Sequence, residues 1–172
     1  ILSVLLDINN SYCKVVFPIH PRTRSKIKKA GFDKSLSKIL ITNPLGYFDF
    51  LKLVKESRGV ITDSGGIQEE TSHLGIPCAT LRDNTERPST IKLGSNKIFP
   101  IAQLESSKNK IIDHLKRTNF TARNIPLWDD MVSNRIFKEL DIFFKKSEAH
   151  GQTRGIPYKK IDLLPNKLLM DF

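Results

Sequence analysis

Short apolar runs of β type alternate with stretches of helical period through most of the chain, and this alternation narrows the fold more than any other feature. Residues 14–18, 38–42, 59–62, 77–81 and 96–99 read as strands. Residues 1–8 read as the end of a helix. A second helix can start at Pro21 and stop at Gly31, with Phe32 placed for a C-terminal hydrophobic contact. In 47–56, Tyr47, Phe50, Leu51 and Val54 fall at i, i+3, i+4 and i+7, one face of a helix. Residues 67–74 form a helix ended by Gly75, and two more follow around 104–115 and 131–144. Strands separated by helices predict a parallel sheet covered on both faces, a single doubly wound α/β domain over residues 1–147. Residues 148–172 are expected to be a tail of unknown role. The stretch 151–172 has no clear period and reads either as a tail or as an arm that packs on something else.

A chain of 172 residues can bury roughly 70% of its unfolded surface. No apolar run approaches the ~18 residues that span a bilayer. Residues 1–6 lack the basic leader and cleavage site of a signal peptide, and without an initiating Met the chain reads as part of a longer one. Cys13 and Cys78 lie beside strand-like runs without metal-ligand spacing, which predicts buried free thiols and a reducing cytoplasm. No metal and no cofactor is expected. The formal charge is +10, and residues 1–58 carry eleven Lys and Arg against four Asp and Glu. Arg22, Arg24, Lys26, Lys28 and Lys29 would scatter around a helix axis, and no aromatic residues interleave with them to stack bases. A solvated basic surface is therefore favoured over a nucleic-acid-binding module, and salt-sensitive DNA binding would separate the two.

The stretch Val60-Ile61-Thr62-Asp63-Ser64-Gly65-Gly66-Ile67-Gln68-Glu69-Glu70 carries the chemistry. A strand ends, a small hydroxyl residue and two glycines follow, and a helix opens at once. Ser64 is a natural N-cap, with the Gly65 and Gly66 amides at the positive end of the helix dipole, where a phosphate could approach. The same residues could form only a tight turn. Ile67, Thr71 and Leu74 make one helix face with Glu70 on its edge, while Glu69 and His73 point away. Glu70 could accept hydrogen bonds from two ribose hydroxyls, or be a solvated residue at a face boundary. After the next strand, Leu81-Arg82-Asp83-Asn84-Thr85-Glu86-Arg87-Pro88 opens on the same edge of the sheet. Arg87 could neutralise a diphosphate; Arg82, Asp83 and Glu86 could equally form a salt-bridged loop.

These two segments, with Leu74-Gly75-Ile76-Pro77 between them, resemble the signature of non-hydrolysing UDP-N-acetylglucosamine 2-epimerases. Phe17-Pro18-Ile19-His20-Pro21, Tyr47-Phe48-Asp49-Phe50 and Ile125-Pro126-Leu127-Trp128-Asp129 also fit, and the similarity spans about residues 1–145. It implies the C-terminal, Rossmann-like half of a glycosyltransferase-B type fold, with substrate in the cleft between the halves. Ser64, Gly65 and Gly66 would hold the diphosphate, Glu70 the ribose, Phe50 the uracil pocket and Arg87 the phosphate side. Leu45 stands where many relatives have Gln at the uracil-contacting position. His20 and Glu86 are candidates for the cleft, His20 with a capping or packing role as the competing reading. The implied reaction interconverts UDP-N-acetylglucosamine and UDP-N-acetylmannosamine by eliminating and re-adding UDP, in a cytoplasmic pathway to cell-surface polysaccharide. The family's acid/base residues would lie before Ile1, in an N-terminal domain, so residues 1–172 alone are expected to be inactive. Relatives tend to be dimers, which implies a homodimer. A UDP-sugar glycosyltransferase of the same fold is the alternative enzyme.

Overall fold

The computed structural model describes residues 1–117, 120 and 125–149. These fall into two compact units, 1–126 and 127–172. The first begins with α1 (Leu2–Ser11), β1 (Val16–Pro18), α2 (Pro21–Lys29), α3 (Asp33–Leu36), β2 (Leu40–Thr42) and α4 (Tyr47–Glu56). It continues with β3 (Val60–Thr62), α5 (Gly65–Leu74), β4 (Cys78–Thr80), α6 (Pro88–Lys92), β5 (Asn96–Ile98) and α7 (Leu104–Leu115). The strands are all shorter than the apolar runs that mark them. The short helices α3 and α6 were not legible in the sequence, because four or five residues carry too little period.

Every strand pair is parallel, as the alternation predicts, but hydrogen bonding divides the strands into a pair, β1-β2, and a trio, β3-β4-β5. In the trio Ile61 lies beside Ala79 and Thr62 beside Thr80. Cys78 lies beside Asn96. Side chains alternate between the faces of a strand, so Ala79 points opposite to Cys78 and Thr80. Ala79 joins Val4, Ile8, Phe99, Leu104, Ile111 and Leu115 in the apolar core beneath α1 and α7. Thr80 and Asn96 face α5 and α6, where the buried groups are polar. The trio is thus covered on both faces, one oily and one hydrogen-bonded. Cys78 is fully buried, whereas Cys13 is only half-buried; both are free thiols whose pKa burial pushes up.

Glycines mark the helix ends that the sequence suggested. Gly31 and Gly75 adopt left-handed backbone, with φ of 77° and 71°. After α2, Phe32 N–H donates to Ile27 O and Gly31 N–H to Lys28 O, the paired bonds of a Schellman stop. Phe32 itself stays exposed, so the expected hydrophobic contact leaves much of its ring in water. In α4 only Val54 of the expected face is buried; Phe50 and Leu51 are half-buried and Tyr47 is exposed.

The second unit contains α8 (Val132–Ala149), which runs beyond the stretch its period suggested. Asp129 accepts the Met131 N–H at 2.9 Å and the Arg135 guanidinium at 2.8 and 3.0 Å, fixing the start of that helix. From residue 150 onward, the tail expected over 148–172 lies outside the described residues.

Candidate functional site

Only Asp63 and Ser64 connect β3 to α5, so the strand delivers the chain straight onto a helix N-terminus. Ser64 occupies the N-cap position with extended backbone (φ −82°, ψ 131°), but its side chain caps nothing. Its N–H donates instead to Thr62 Oγ1 at 3.1 Å. The first-turn amides of α5 are therefore free of a side-chain cap, at the positive end of the helix dipole. The two glycines differ. A Cβ on Gly65 would stand 2.8 Å from Glu86 Oε1, so Gly65 admits a close approach of the Glu86 loop. A Cβ on Gly66 would meet nothing within 4 Å, leaving an open flank on the same turn.

One turn further on, Glu70 is half-buried, and its Oε2 is buried with no hydrogen-bond partner among the described residues. An unpaired carboxylate oxygen costs more than a paired one, so its neighbourhood favours an incoming donor. The helix face differs from the expected one. Gln68, Thr71 and Ser72 are the buried positions, while Ile67 and Leu74 are half-buried. Small hydroxyls can take the inner face because Thr71 Oγ1 and Ser72 Oγ donate back to the carbonyls of Ile67 and Gln68, both at 2.7 Å.

The loop after β4 returns to this helix end. Arg82 Nη1 lies 3.2 and 2.9 Å from the two Glu86 oxygens, so the salt-bridged loop does form. Arg87 Nε stands 2.9 Å from Glu69 Oε1, so Glu69 does not simply point into solvent. The same Nε is not aligned for a hydrogen bond, and the contact is an ion pair by proximity. Both pairs are partly exposed, and such pairs contribute about 0–1 kcal/mol, so a stronger anion could displace either carboxylate. The Glu86 carboxyl is held below the usual range by its own backbone N–H, then by Arg82 and Arg87, with slight burial opposing.

A buried polar network that sequence reasoning missed joins this loop to α5. Gln68 Oε1 accepts from Thr85 Oγ1 at 2.6 Å and from Asn96 Nδ2 at 3.1 Å. Thr85 Oγ1 in turn accepts the Arg87 N–H at 3.0 Å. Asn96 Nδ2 also donates to Thr90 Oγ1 at 3.0 Å, and Thr90 Oγ1 donates to Arg87 O at 2.7 Å. The available signal was the run of Gln, Thr and Ser at i, i+3 and i+4, a helix face that hydrophobicity alone discounts.

Ser64, Gly65, Gly66, Glu86 and Arg87 thus meet at one helix end, with Glu70 a turn below. The remaining candidates belong to other strand ends. His20 follows β1 and caps α2, its Nδ1 accepting the Arg22 N–H at 3.2 Å. Leu45 lies exposed between β2 and α4, and Phe50 is half-buried in the first turn of α4, a helix that packs against α5. Beside the α5 N-terminus, an open cleft of about 490 Å³ is lined by Asp63, Leu81, Arg82, Asp83, Asn84 and Ile101. Among the described residues no three His, Cys, Asp or Glu side chains converge as a metal site requires, and no helix is long and apolar enough to cross a membrane.

Residues 1–141 match the family model described as UDP-N-acetylglucosamine 2-epimerase. Over 100 residues the chain is 48% identical to the UDP-N-acetylglucosamine 2-epimerase of Methanocaldococcus jannaschii, covering 56% of this chain and 27% of that protein. It is 34% identical over 114 residues to a UDP-2,3-diacetamido-2,3-dideoxy-D-glucuronate 2-epimerase of Pseudomonas aeruginosa, covering 64% of this chain and 31% of that one. The crystal structure of the M. jannaschii enzyme in complex with UDP-GlcNAc and UDP superposes with a TM-score of 0.68 at 35% identity, covering 82% of this chain and 39% of that one. The α/β architecture is therefore that of one part of a glycosyltransferase-B type epimerase, and the chain spans well under half the length of these relatives.

Proposed function

The chain belongs to the UDP-N-acetylglucosamine 2-epimerase family, and from that premise we propose that it is the UDP-binding portion of an enzyme interconverting UDP-N-acetylglucosamine and UDP-N-acetylmannosamine. In this reading the nucleotide domain is the one expected over residues 1–147, and every assigned site residue lies in the first unit, 1–126. The first turn of α5, with Ser64, Gly65 and Gly66, receives the diphosphate, and Arg87 neutralises it from the β4 loop. Glu70 accepts the ribose hydroxyls, while Leu45 and Phe50 border the uracil. His20 and Glu86 flank the cleft. The two named relatives share UDP and differ in the sugar, which supports assigning the UDP moiety to this half.

In the proposed reaction, a base takes the proton from C2 as the C1–O bond breaks and UDP departs with its electron pair. UDP then re-adds at C1 of the bound glycal, and C2 is reprotonated on the opposite face. This chain keeps the departed UDP in place, so that re-addition remains effectively intramolecular. The acid/base groups would come from a partner domain, and the site works without metal or cofactor. The reading places the protein in the cytoplasm as a homodimer, in keeping with the free thiols of Cys13 and Cys78.

The buried Oε2 of Glu70, without a partner among the described residues and one turn below a helix N-terminus that lacks a side-chain cap, carries this reading. Calorimetric titration of the chain with UDP and with UDP-N-acetylglucosamine tests it. Saturable UDP binding is expected, and Glu70→Gln should weaken it about ten- to a hundred-fold, the equivalent of about 1.5–3 kcal/mol for a charged hydrogen bond. The loss should be smaller with 2′,3′-dideoxy-UDP. Equal affinity of the two proteins for UDP would refute the ribose assignment.

A further inference from the structure

Arg87 is the N-cap residue of α6, and its backbone is held by side chains in addition to the Thr90 N–H, which donates to its carbonyl at 3.0 Å as the first bond of that helix. The Arg87 N–H reaches Thr85 Oγ1 and its carbonyl also accepts from Thr90 Oγ1. Both hydroxyls lead to Gln68, Thr85 directly and Thr90 by way of Asn96 Nδ2. Gln68, Thr90 and Asn96 are buried and Thr85 half-buried, so water competes little with these bonds. Gln68 stands on α5, one turn after the glycines. One amide oxygen therefore fixes the distance between the first turn of α5 and the backbone that carries the Arg87 guanidinium.

The arrangement has a cost that a purely structural role does not explain. Gln68 is fully buried, and its Nε2 has no partner among the described residues. Met would fill nearly the same space without burying an unpaired donor group. What Gln supplies is the oxygen, and the oxygen is spent on the Arg87 loop. Glu69, the next residue on the same helix, faces the Arg87 guanidinium 2.9 Å away. The helix that offers the anion-binding amides thus grips Arg87 by its peptide and by its side chain.

We infer that Gln68, acting through Thr85, Asn96 and Thr90, is a positioning residue for diphosphate recognition, setting where Arg87 stands against the N-terminus of α5. The inference rests on the reading of that helix end as the UDP site. Its contribution is to the phosphates alone, since neither the base nor the ribose is assigned to the β4 loop.

The test is calorimetry on the full chain with UDP and with uridine, comparing Thr85→Val, Thr85→Ser and Gln68→Met, each also on an Arg87→Ala background. Thr85→Val removes one anchor of the Arg87 peptide at a half-buried position and keeps the side-chain volume, so the fold should persist. Thr85→Val and Gln68→Met should each weaken UDP about five- to tenfold and leave uridine within about twofold. Thr85→Ser should restore UDP binding, and neither Thr85→Val nor Gln68→Met should have a further effect once Arg87 is Ala. Equal weakening of UDP and uridine, or undiminished losses on the Arg87→Ala background, would reduce the network to general support of the fold and overturn the inference. Arg87→Ala without effect on UDP would instead remove the phosphate role of Arg87, and the inference with it. A Gln68→Met protein that fails to fold leaves the decision with Thr85→Val.

Discussion

At the residue scale, charge alone does not describe the cluster at the start of α5. Two cations, Arg82 and Arg87, are matched there by two carboxylates, Glu86 and Glu69. In the proposed site an arriving diphosphate would exchange weak, partly exposed ion pairs for contacts with Arg87 and with backbone amides. The guanidinium suits that exchange because its fork can serve two oxygens, whereas lysine offers a point charge. Arg87→Lys should therefore weaken UDP about three- to tenfold while leaving uridine unchanged, as measured by titration. Equal affinities of the wild-type and Lys proteins for UDP would return Arg87 to a merely salt-bridged loop. Glu70→Gln, by contrast, should not lower stability in thermal melts, because it removes the charge from a half-buried carboxyl whose Oε2 has no partner among the described residues and keeps helix propensity nearly constant.

Elements depend on a stop that the local sequence marks, Gly75, and on a contact that it does not, His114. Gly75 ends α5 at φ 71°, where a side chain meets the backbone, so Gly75→Ala should cost about 1 kcal/mol. In a domain of this size that corresponds to a lowering of the thermal midpoint by about 2–4 °C. His114 on α7 places Nε2 3.0 Å from Cys78 O and 3.1 Å from Ser95 O, bridging the starts of β4 and β5. Its Nδ1 is buried without a partner among the described residues. Burial lowers the His114 pKa, opposed by the two carbonyls and reinforced by Arg117 and Lys97. The unfolded chain therefore takes up this proton at a higher pH than the folded one. Its stabilising effect is complete above the ordinary histidine pKa of about 6.5 and is lost as pH falls through the lowered folded value. Thermal melts from pH 7.5 to 5 should show a steeper loss for the wild type than for His114→Gln, which can donate but cannot titrate in that range. Parallel curves would mean that His114 does not govern the acid limb.

For the whole molecule, the decisive fact is coverage: the chain matches 39% of a solved epimerase that was crystallised with UDP-GlcNAc and UDP. The proposed chemistry needs groups on both sides of a cleft, and in the proposed reading the residues assigned here bind UDP while the proton-abstracting groups come from elsewhere. Residues 1–172 on their own should bind UDP yet show no turnover of UDP-N-acetylglucosamine above a mock preparation. Detectable epimerisation would place acid/base groups within this chain. The net charge of +10 gives a second expectation. Binding to single-stranded or duplex DNA should be weak and abolished by moderate salt, as for any solvated basic surface, and UDP should not compete with it.

Periodicity and punctuation carried most of the fold. The bounds of α4 and α7 follow from apolar spacing, and the ends of α2 and α5 follow from Gly31 and Gly75, because helix period and left-handed stops are local properties. The strand–Ser-Gly-Gly–helix order likewise located the candidate anion site, since a helix N-terminus is made by the backbone itself. Tertiary structure alone decided which side chains are engaged there. The Ser64 side chain leaves its helix uncapped, Glu69 turns to Arg87, and Glu70 keeps an oxygen unpaired among the described residues. It also decided that the inner face of α5 is polar. Gln68 and Asn96 lie 28 residues apart, and only the packing of α5 and α6 over β4 and β5 brings them into one hydrogen-bonded network. Hydrophobic pattern finds faces that exclude water; it is blind to a buried face whose polar groups satisfy one another, because those partners are defined by the fold and not by their spacing in the chain.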